Sequence, residues 1–468
     1  MNCLQRKVTW LARLAALAAI LVLVFPLAGA QQPVDPPRAA LNLEEFNRAA
    51  DEVLTDISKI VGLPLKSELK KSLRSRQEIR DYLIRRIEEE KRDAKWDADQ
   101  KMLEKFGLIP KGFELEKFLI ELLTEQIAGL YDPKGKEFYV ADWIPVDGQR
   151  EVMAHEFVHA LHDQYFDVDT WLKAARPDDD ALSARNAVLE GAAMAAMVDY
   201  IFREQGMRVQ DMAMLESLIR ASMLSSTDPN SAVARAPIYI REALLFPYLS
   251  GTTFAQKVLA AGEGWKDFNR VFEKPPVTTQ QILHPEHYLS GYAPRPVPLP
   301  LVERAAGRGW RKLDQNQLGE FGLRSVLKQY LGEKRSVELG STWSGDQYAI
   351  FDSAGATRTL LVLRLRLESE ESAARFFGAY SELLELKYTD RAELFRRPNF
   401  FAFETGEGGV YLRCFIDECV TIEGGDRRVL DSLMRAFRWP PAPSQSRRPA
   451  GKTIAAEPAS RPVVAGTD

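Results

Sequence analysis

The segment Glu151-Val-Met-Ala-His155-Glu156-Phe157-Val158-His159-Ala160-Leu161 sets two histidines four residues apart in a run with no glycine or proline. On a helix that spacing puts both imidazoles on one face, a turn apart, which is what two ligands of a tetrahedral zinc need. Glu156 stands beside the first, where a carboxylate can take a proton from water and later return it to a leaving amine. Histidine is scarce in the rest of the chain. There are 5 in 468 residues, and His155, His159 and His162 are three of them.

A zinc site of this kind requires a third protein ligand. Glu190, in Asn186-Ala-Val-Leu-Glu190-Gly-Ala-Ala-Met-Ala-Ala-Met-Val198, is the best candidate, because a lone acid in an apolar helical run is costly to bury unless paired or bound to metal. A solvent-facing Glu190, or one paired with Arg185, is the alternative. His162 competes for the same role. Three residues beyond His159 on an unbroken helix, it cannot converge with the other two on one metal, which leaves it a place behind the ligands or at the surface. Asp163 is set either to accept an N–H from a ligand imidazole and fix its tautomer or to be solvated at the helix end.

The remaining histidines lie in Thr278-Thr-Gln-Gln-Ile-Leu-His284-Pro285-Glu286-His287-Tyr288. Hydrolysis of a peptide bond needs a donor for the oxyanion of the tetrahedral intermediate. His284, fixed by the proline after it, is the first choice for that donor, with His287 and Tyr288 as further candidates and Tyr131 a weaker one. The alternative for each histidine is an exposed place in a turn.

Around this centre the chain reads as two folded units with terminal extras, since its length exceeds what one core usually supports. The apolar (46%) and charged (27%) fractions are those of a globular protein, and 62 Lys and Arg nearly balance 66 Asp and Glu, so charge recommends neither nucleic acid nor an acidic membrane as partner. Residues 1–30 read as a secretory signal: Arg6 and Lys7, then the apolar run Leu14 to Phe25, then Ala28-Gly29-Ala30. The run is short for a spanning helix, so stable membrane insertion after cleavage is not expected and the chain is expected to be periplasmic or extracellular. Cys414 and Cys419 then suggest a disulfide clipping a hairpin, with a buried reduced pair as the alternative.

The expected organisation is a linker over 31–40, a mainly helical domain over 41–305, a smaller α+β domain over 306–440 and a disordered tail over 441–468. Apolar periodicity predicts an amphipathic helix within Lys66 to Arg92 and further helices over Phe113 to Ile127, Arg150 to Phe166, Ala181 to Phe202 and Glu370 to Leu386. Asp132 to Gly135 predicts a hairpin turn, and Thr359 to Leu367 and Val410 to Ile422 read as strands. The fold class is therefore α+β.

With these residues in hand, the chain resembles the gluzincin type of HExxH metallopeptidase, in which a glutamate on a downstream helix is the third ligand; His155, Glu156, His159 and Glu190 match that pattern one by one. It is similar in particular to a group of exported bacterial HExxH proteins through Gly129-Leu-Tyr-Asp132, His159-Ala-Leu-His-Asp-Gln164 and Gln281-Ile-Leu-His-Pro-Glu286. The resemblance implies a zincin-like fold, bound Zn2+, peptide or protein substrates, and a sheet whose edge, here the Gly129 to Val140 hairpin, pairs with extended substrate. Met194 stands where the best-known gluzincins place an acidic residue four positions after the ligand glutamate, so another group must orient the ligand histidine. The competing expectation is a cell-envelope binding or scaffold protein in which zinc is structural and the C-terminal domain supplies the interaction surface.

Overall fold

The computed structural model describes residues 43–93, 96–143, 146–225 and 229–440; the expected signal, the linker and the C-terminal tail lie outside the described residues. Helix α1 (Leu43–Val61) aligns Phe46, Ala50, Val53, Ile57 and Val61 along one buried stripe, the spacing of a single helix face. The predicted helix within Lys66 to Arg92 is divided in two. Its first part is strand β1 (Lys70–Arg74) and its second is helix α2 (Arg76–Asp93). Ser75 and Glu78 form the boundary: the Glu78 carboxylate accepts from the Ser75 N–H at 2.8 Å, and the Ser75 hydroxyl accepts from the Glu78 N–H at 3.3 Å. This reciprocal pair is a capping box, and it starts the helix later than apolar periodicity alone suggests.

Helices α3 (Trp96–Phe106) and α4 (Leu115–Gln126) follow, then the hairpin of β2 (Gly129–Asp132) and β3 (Glu137–Ala141). The three strands form one sheet in the order β1-β3-β2, with β1 parallel and β2 antiparallel to β3. Lys70 to Arg74 leave the helical pattern because β3 offers them a row of main-chain partners from Glu137 to Ala141, which would otherwise need satisfying elsewhere. Strand β2 is left on the edge.

Against this sheet packs α5 (Val146–Phe166); α6 (Asp179–Ile201) packs on α5, and α7 (Ile238–Ala261) on α6. The stretches Val152 to Asp163 of α5 and Asn186 to Tyr200 of α6 are buried on every side, as befits helices whose apolar residues show no preferred face. Asp178 caps α6 by accepting from the Ala181 N–H at 3.0 Å. Helices α6 and α7 cross where two glycines meet: a Cβ on Gly191 would fall 2.1 Å from the carbonyl oxygen of Gly251, and one on Gly251 would fall 2.2 Å from that of Ala187. The backbones touch there, and no larger residue fits.

The C-terminal region consists of β4 (Trp310–Asn316), α8 (Gly319–Leu331), β5 (Trp343–Ser353), β6 (Thr359–Leu367), α9 (Glu370–Lys387), β7 (Ala392–Arg397), β8 (Phe400–Thr405), β9 (Gly408–Phe415), β10 (Glu418–Gly425) and α10 (Arg427–Ala436). Its seven strands make one antiparallel sheet in the order β4-β5-β6-β10-β9-β8-β7. The strand-like run Val410 to Ile422 is two strands with a turn at Ile416, whose φ is 56°. Cys414 and Cys419 stand opposite each other across that hairpin and are joined by a disulfide with Cα atoms 4.0 Å apart.

Alternation along β6 sends Leu361, Leu363 and Leu365 into the core shared with the helices, and Leu360 and Val362 into a smaller core closed by Leu430 and Leu433 of α10. The fold is α+β, with a helical N-terminal region carrying a small sheet and a seven-stranded antiparallel sheet at the C-terminal end. The two regions are not separate packing units. Helix α3 lies against the large sheet, with Phe106 edge-on to Tyr348 at 5.7 Å, Lys101 paired with Asp352 at 2.5 Å and Lys105 with Glu407 at 2.9 Å, and one apolar core runs from Phe46 to Cys419.

Candidate metal centre

Helix α5 presents His155 and His159 one turn apart, and α6, packed along it, brings Glu190 to the same point. The Nε2 atoms of the two histidines are 3.1 Å apart; His155 Nε2 is 3.1 Å from Glu190 Oε2, and His159 Nε2 is 3.6 Å from Glu190 Oε1. Ligands at zinc–nitrogen and zinc–oxygen distances around a tetrahedral ion are separated by roughly 3.3 Å. The spacing therefore fits zinc. Among the described residues this is the one group of three potential ligands that could hold a metal ion, and all three side chains are buried.

The three side chains are electrostatically coupled. Burial works to raise the Glu190 carboxyl, yet the imidazoles of His159 and His155 outweigh it and hold the group below its ordinary value. Burial lowers His155, whereas at His159 the neighbouring Glu190 and Glu156 overcome burial and raise it. Glu156, pointing off the same helix, is fully buried, and neither of its oxygens has a hydrogen-bond partner. Burial pushes its pKa up to about 8, against the downward pull of His159 and of the Tyr131 main chain. A buried carboxylate with no donor is costly, so this is where the site departs most from ordinary packing.

The hairpin stands over this helix. Ala141 N–H donates to Ala128 carbonyl at 2.9 Å, and with the register Leu130 opposite Tyr139, alternation turns the main-chain groups of Gly129 and Tyr131 away from β3. The Tyr131 N–H thus faces outward from the sheet edge on the side of Glu156, without closing a hydrogen bond on it.

The other sequence candidates are placed as follows. Asp163 touches no ligand imidazole. Its carboxylate accepts from the Tyr131 hydroxyl at 2.7 Å, from Lys136 Nζ at 2.6 Å and from the Val168 N–H at 3.2 Å, so it ties the hairpin to the end of α5. Tyr131 spends its hydroxyl there, which, with burial, raises that phenol far above its usual range. His162 is neither at the surface nor in contact with a ligand. Its ring is fully buried, 4.6 Å from Phe272 and 5.9 Å from Phe166, and burial pushes its pKa down to about 3.

The segment containing His284 is not brought to the triad. His284 Nε2 lies 3.0 Å from Glu320 of α8 and 3.4 Å from Arg324. The His287 ring packs on those of His284 and Tyr292, and the Tyr288 hydroxyl donates to the Lys274 carbonyl at 2.8 Å. None of these contacts reaches His155, His159 or Glu190, so the oxyanion role expected of the segment has no geometric support. Sequence reasoning also missed a neighbour of the centre. Tyr248 of α7 stacks on His155 with the rings inclined at 29° and their centroids 6.2 Å apart; it is one of 14 tyrosines, in an apolar run that says nothing of its position.

Residues 306–433 match the family described as Domain of unknown function (DUF8575). That span covers the large sheet and contains no member of the triad. No curated protein and no solved structure matches the chain.

Proposed function

We propose that the chain is a zinc metallopeptidase in which His155, His159 and Glu190 hold the ion and Glu156 is the general base. The observation that carries this reading is the Glu156 carboxylate, fully buried and without a partner beside three convergent ligand atoms. Core packing gives no reason for such a group; a water held at the centre would satisfy it. When bound, zinc supplies Lewis-acid polarisation of the scissile carbonyl and acidifies a water.

The remaining chemistry belongs to the chain. Glu156 accepts the proton of the attacking water and delivers it to the departing amine. The main-chain groups of Gly129 and Tyr131 that point away from β3 form an edge that is buried here, so an extended peptide would pair with it, selecting backbone over sequence, once that edge is uncovered. The disulfide and the signal-like beginning support action in the cell envelope or outside the cell.

A second reading, a cell-envelope scaffold with structural zinc, draws on the burial of the site. It needs a fourth protein ligand, and among the described residues three groups converge. The deciding experiment measures zinc per chain in the purified protein together with peptide hydrolysis. One zinc, lost in His155→Ala and Glu190→Ala, with hydrolysis lost but zinc kept in Glu156→Gln, is the expected result. Unchanged hydrolysis in Glu156→Gln would remove the general base and with it the peptidase.

A further inference from the structure

A histidine that binds metal through one ring nitrogen normally donates its other N–H to a carboxylate, carbonyl or water, and that second bond fixes the plane of the ring. His155 has no such bond. Its Nε2 faces Glu190 and His159, while Nδ1 is buried with no hydrogen-bond partner, so when Nε2 is the ligand the proton on Nδ1 has no acceptor. Among the described residues no protein group accepts from Nδ1, so within the protein it is packing that holds this imidazole in plane.

We infer that Tyr248 is the positioning residue of the metal centre, fixing the His155 ring by stacking. The rings lie 6.2 Å apart at 29°, and both residues are fully buried, an offset arrangement within the range in which aromatic faces attract. His159 meets His155 nearly edge-on at 71° and 4.9 Å, so the His155 ring packs against two aromatic neighbours. The backbone makes this possible. Tyr248 sits one turn before Gly251, and Gly191 follows the ligand Glu190; the close crossing of α6 and α7 at those glycines sets the tyrosine ring and the ligand carboxylate at fixed positions around the same imidazole. The missing hydrogen bond also meets the departure noted at Met194, where the resemblance leads one to expect an acid: here an aromatic face does the orienting.

This inference rests on the metal-centre reading and is tested separately from it. Zinc affinity is measured by competition with a chromogenic chelator for the wild-type protein and for Tyr248→Phe, Tyr248→Leu and Tyr248→Met, and the visible spectrum of each cobalt-loaded form is recorded. Outer partners of metal ligands typically contribute 10- to 100-fold in affinity. The phenylalanine variant should bind as the wild type does, with the same cobalt spectrum. The leucine and methionine variants should lose about 10-fold or more, with shifted cobalt bands, while their zinc-free forms keep the wild-type far-UV circular dichroism. Methionine serves if leucine does not fold. Wild-type affinity and spectrum in the aliphatic variants would overturn the inference, as would a loss in Tyr248→Phe equal to theirs, which would assign the effect to the hydroxyl. A wild-type protein that binds neither zinc nor cobalt would instead overturn the metal centre itself.

Discussion

Two regions of the molecule pair histidines with a buried glutamate, and they differ in what neutralises the acid. On α5 and α6, Glu190 faces two imidazoles and, among the described residues, is paired with no guanidinium or ammonium group. On α8, Glu320, equally buried, faces His284 at 3.0 Å but is also paired with Arg324 at 2.5 Å. An arginine brings a permanent charge and several donors, so the second acid is compensated within the protein. The first depends on imidazoles, which carry no permanent charge, and a divalent ion would complete it. Two histidines near a glutamate are therefore an ambiguous signal, and the presence or absence of a competing cation is what separates a ligand set from an ion pair.

The sharpest break of this comparison is at Glu156, which has no counterpart beside Glu320. Glu156→Gln should lower peptide hydrolysis by up to about 10⁴-fold, the upper range for general acid–base catalysis, with zinc content unchanged; Glu320→Gln should leave the rate per folded molecule as it was. Chelation probes the same contrast through stability. At free zinc a thousandfold above the dissociation constant, binding to the folded state contributes about 4 kcal/mol, so calorimetry with and without chelator should show a large drop in melting temperature in the wild type and none in His155→Ala.

How far this contrast could be read in advance depends on the range of the interactions. The hairpin turn and the β6 strand follow from local pattern, because Asp132 to Gly135 and the run Thr359 to Leu367 contain their own instructions. The convergence of Glu190 on His155 and His159 was legible through chemistry, an acid isolated in an apolar helix. What escaped was set by distant partners. Strand β1 exists because β3, more than sixty residues on in the chain, offers it an edge, though the capping box at Ser75 and Glu78 was a local sign of where the next helix begins. His284 looked like a donor because nothing in its neighbourhood names Glu320 and Arg324, which follow it by 36 and 40 residues. Tyr248 left no signal, since its role is the product of a helix crossing.

The ion pair on α8 makes its own prediction. Glu320→Gln leaves Arg324 and His284 without their buried acceptor, and breaking a largely buried pair from one side costs about 3 kcal/mol. Urea denaturation should show that loss with zinc content intact, whereas a loss of zinc would mean that the two glutamates act through one network.

The smallest effect is at His284, where the sign of its pH dependence can be worked out. The hydrogen bond that the ring donates to Glu320 is the main cause that raises its pKa above the ordinary histidine value, with burial and Arg324 opposing. A raised value in the folded state means that protonation favours folding: the contribution is fully present below the unfolded value of about 6.5 and is lost as pH rises through the folded one. Because the ring is a quarter exposed, the contribution should be under about 1 kcal/mol. Stability measured from pH 5 to pH 9 in wild type and His284→Asn should therefore diverge on the acid side and converge on the alkaline side. Divergence on the alkaline side would mean that His284 is held neutral against Arg324, and the pair on α8 would then be an arginine–glutamate pair with a bystander.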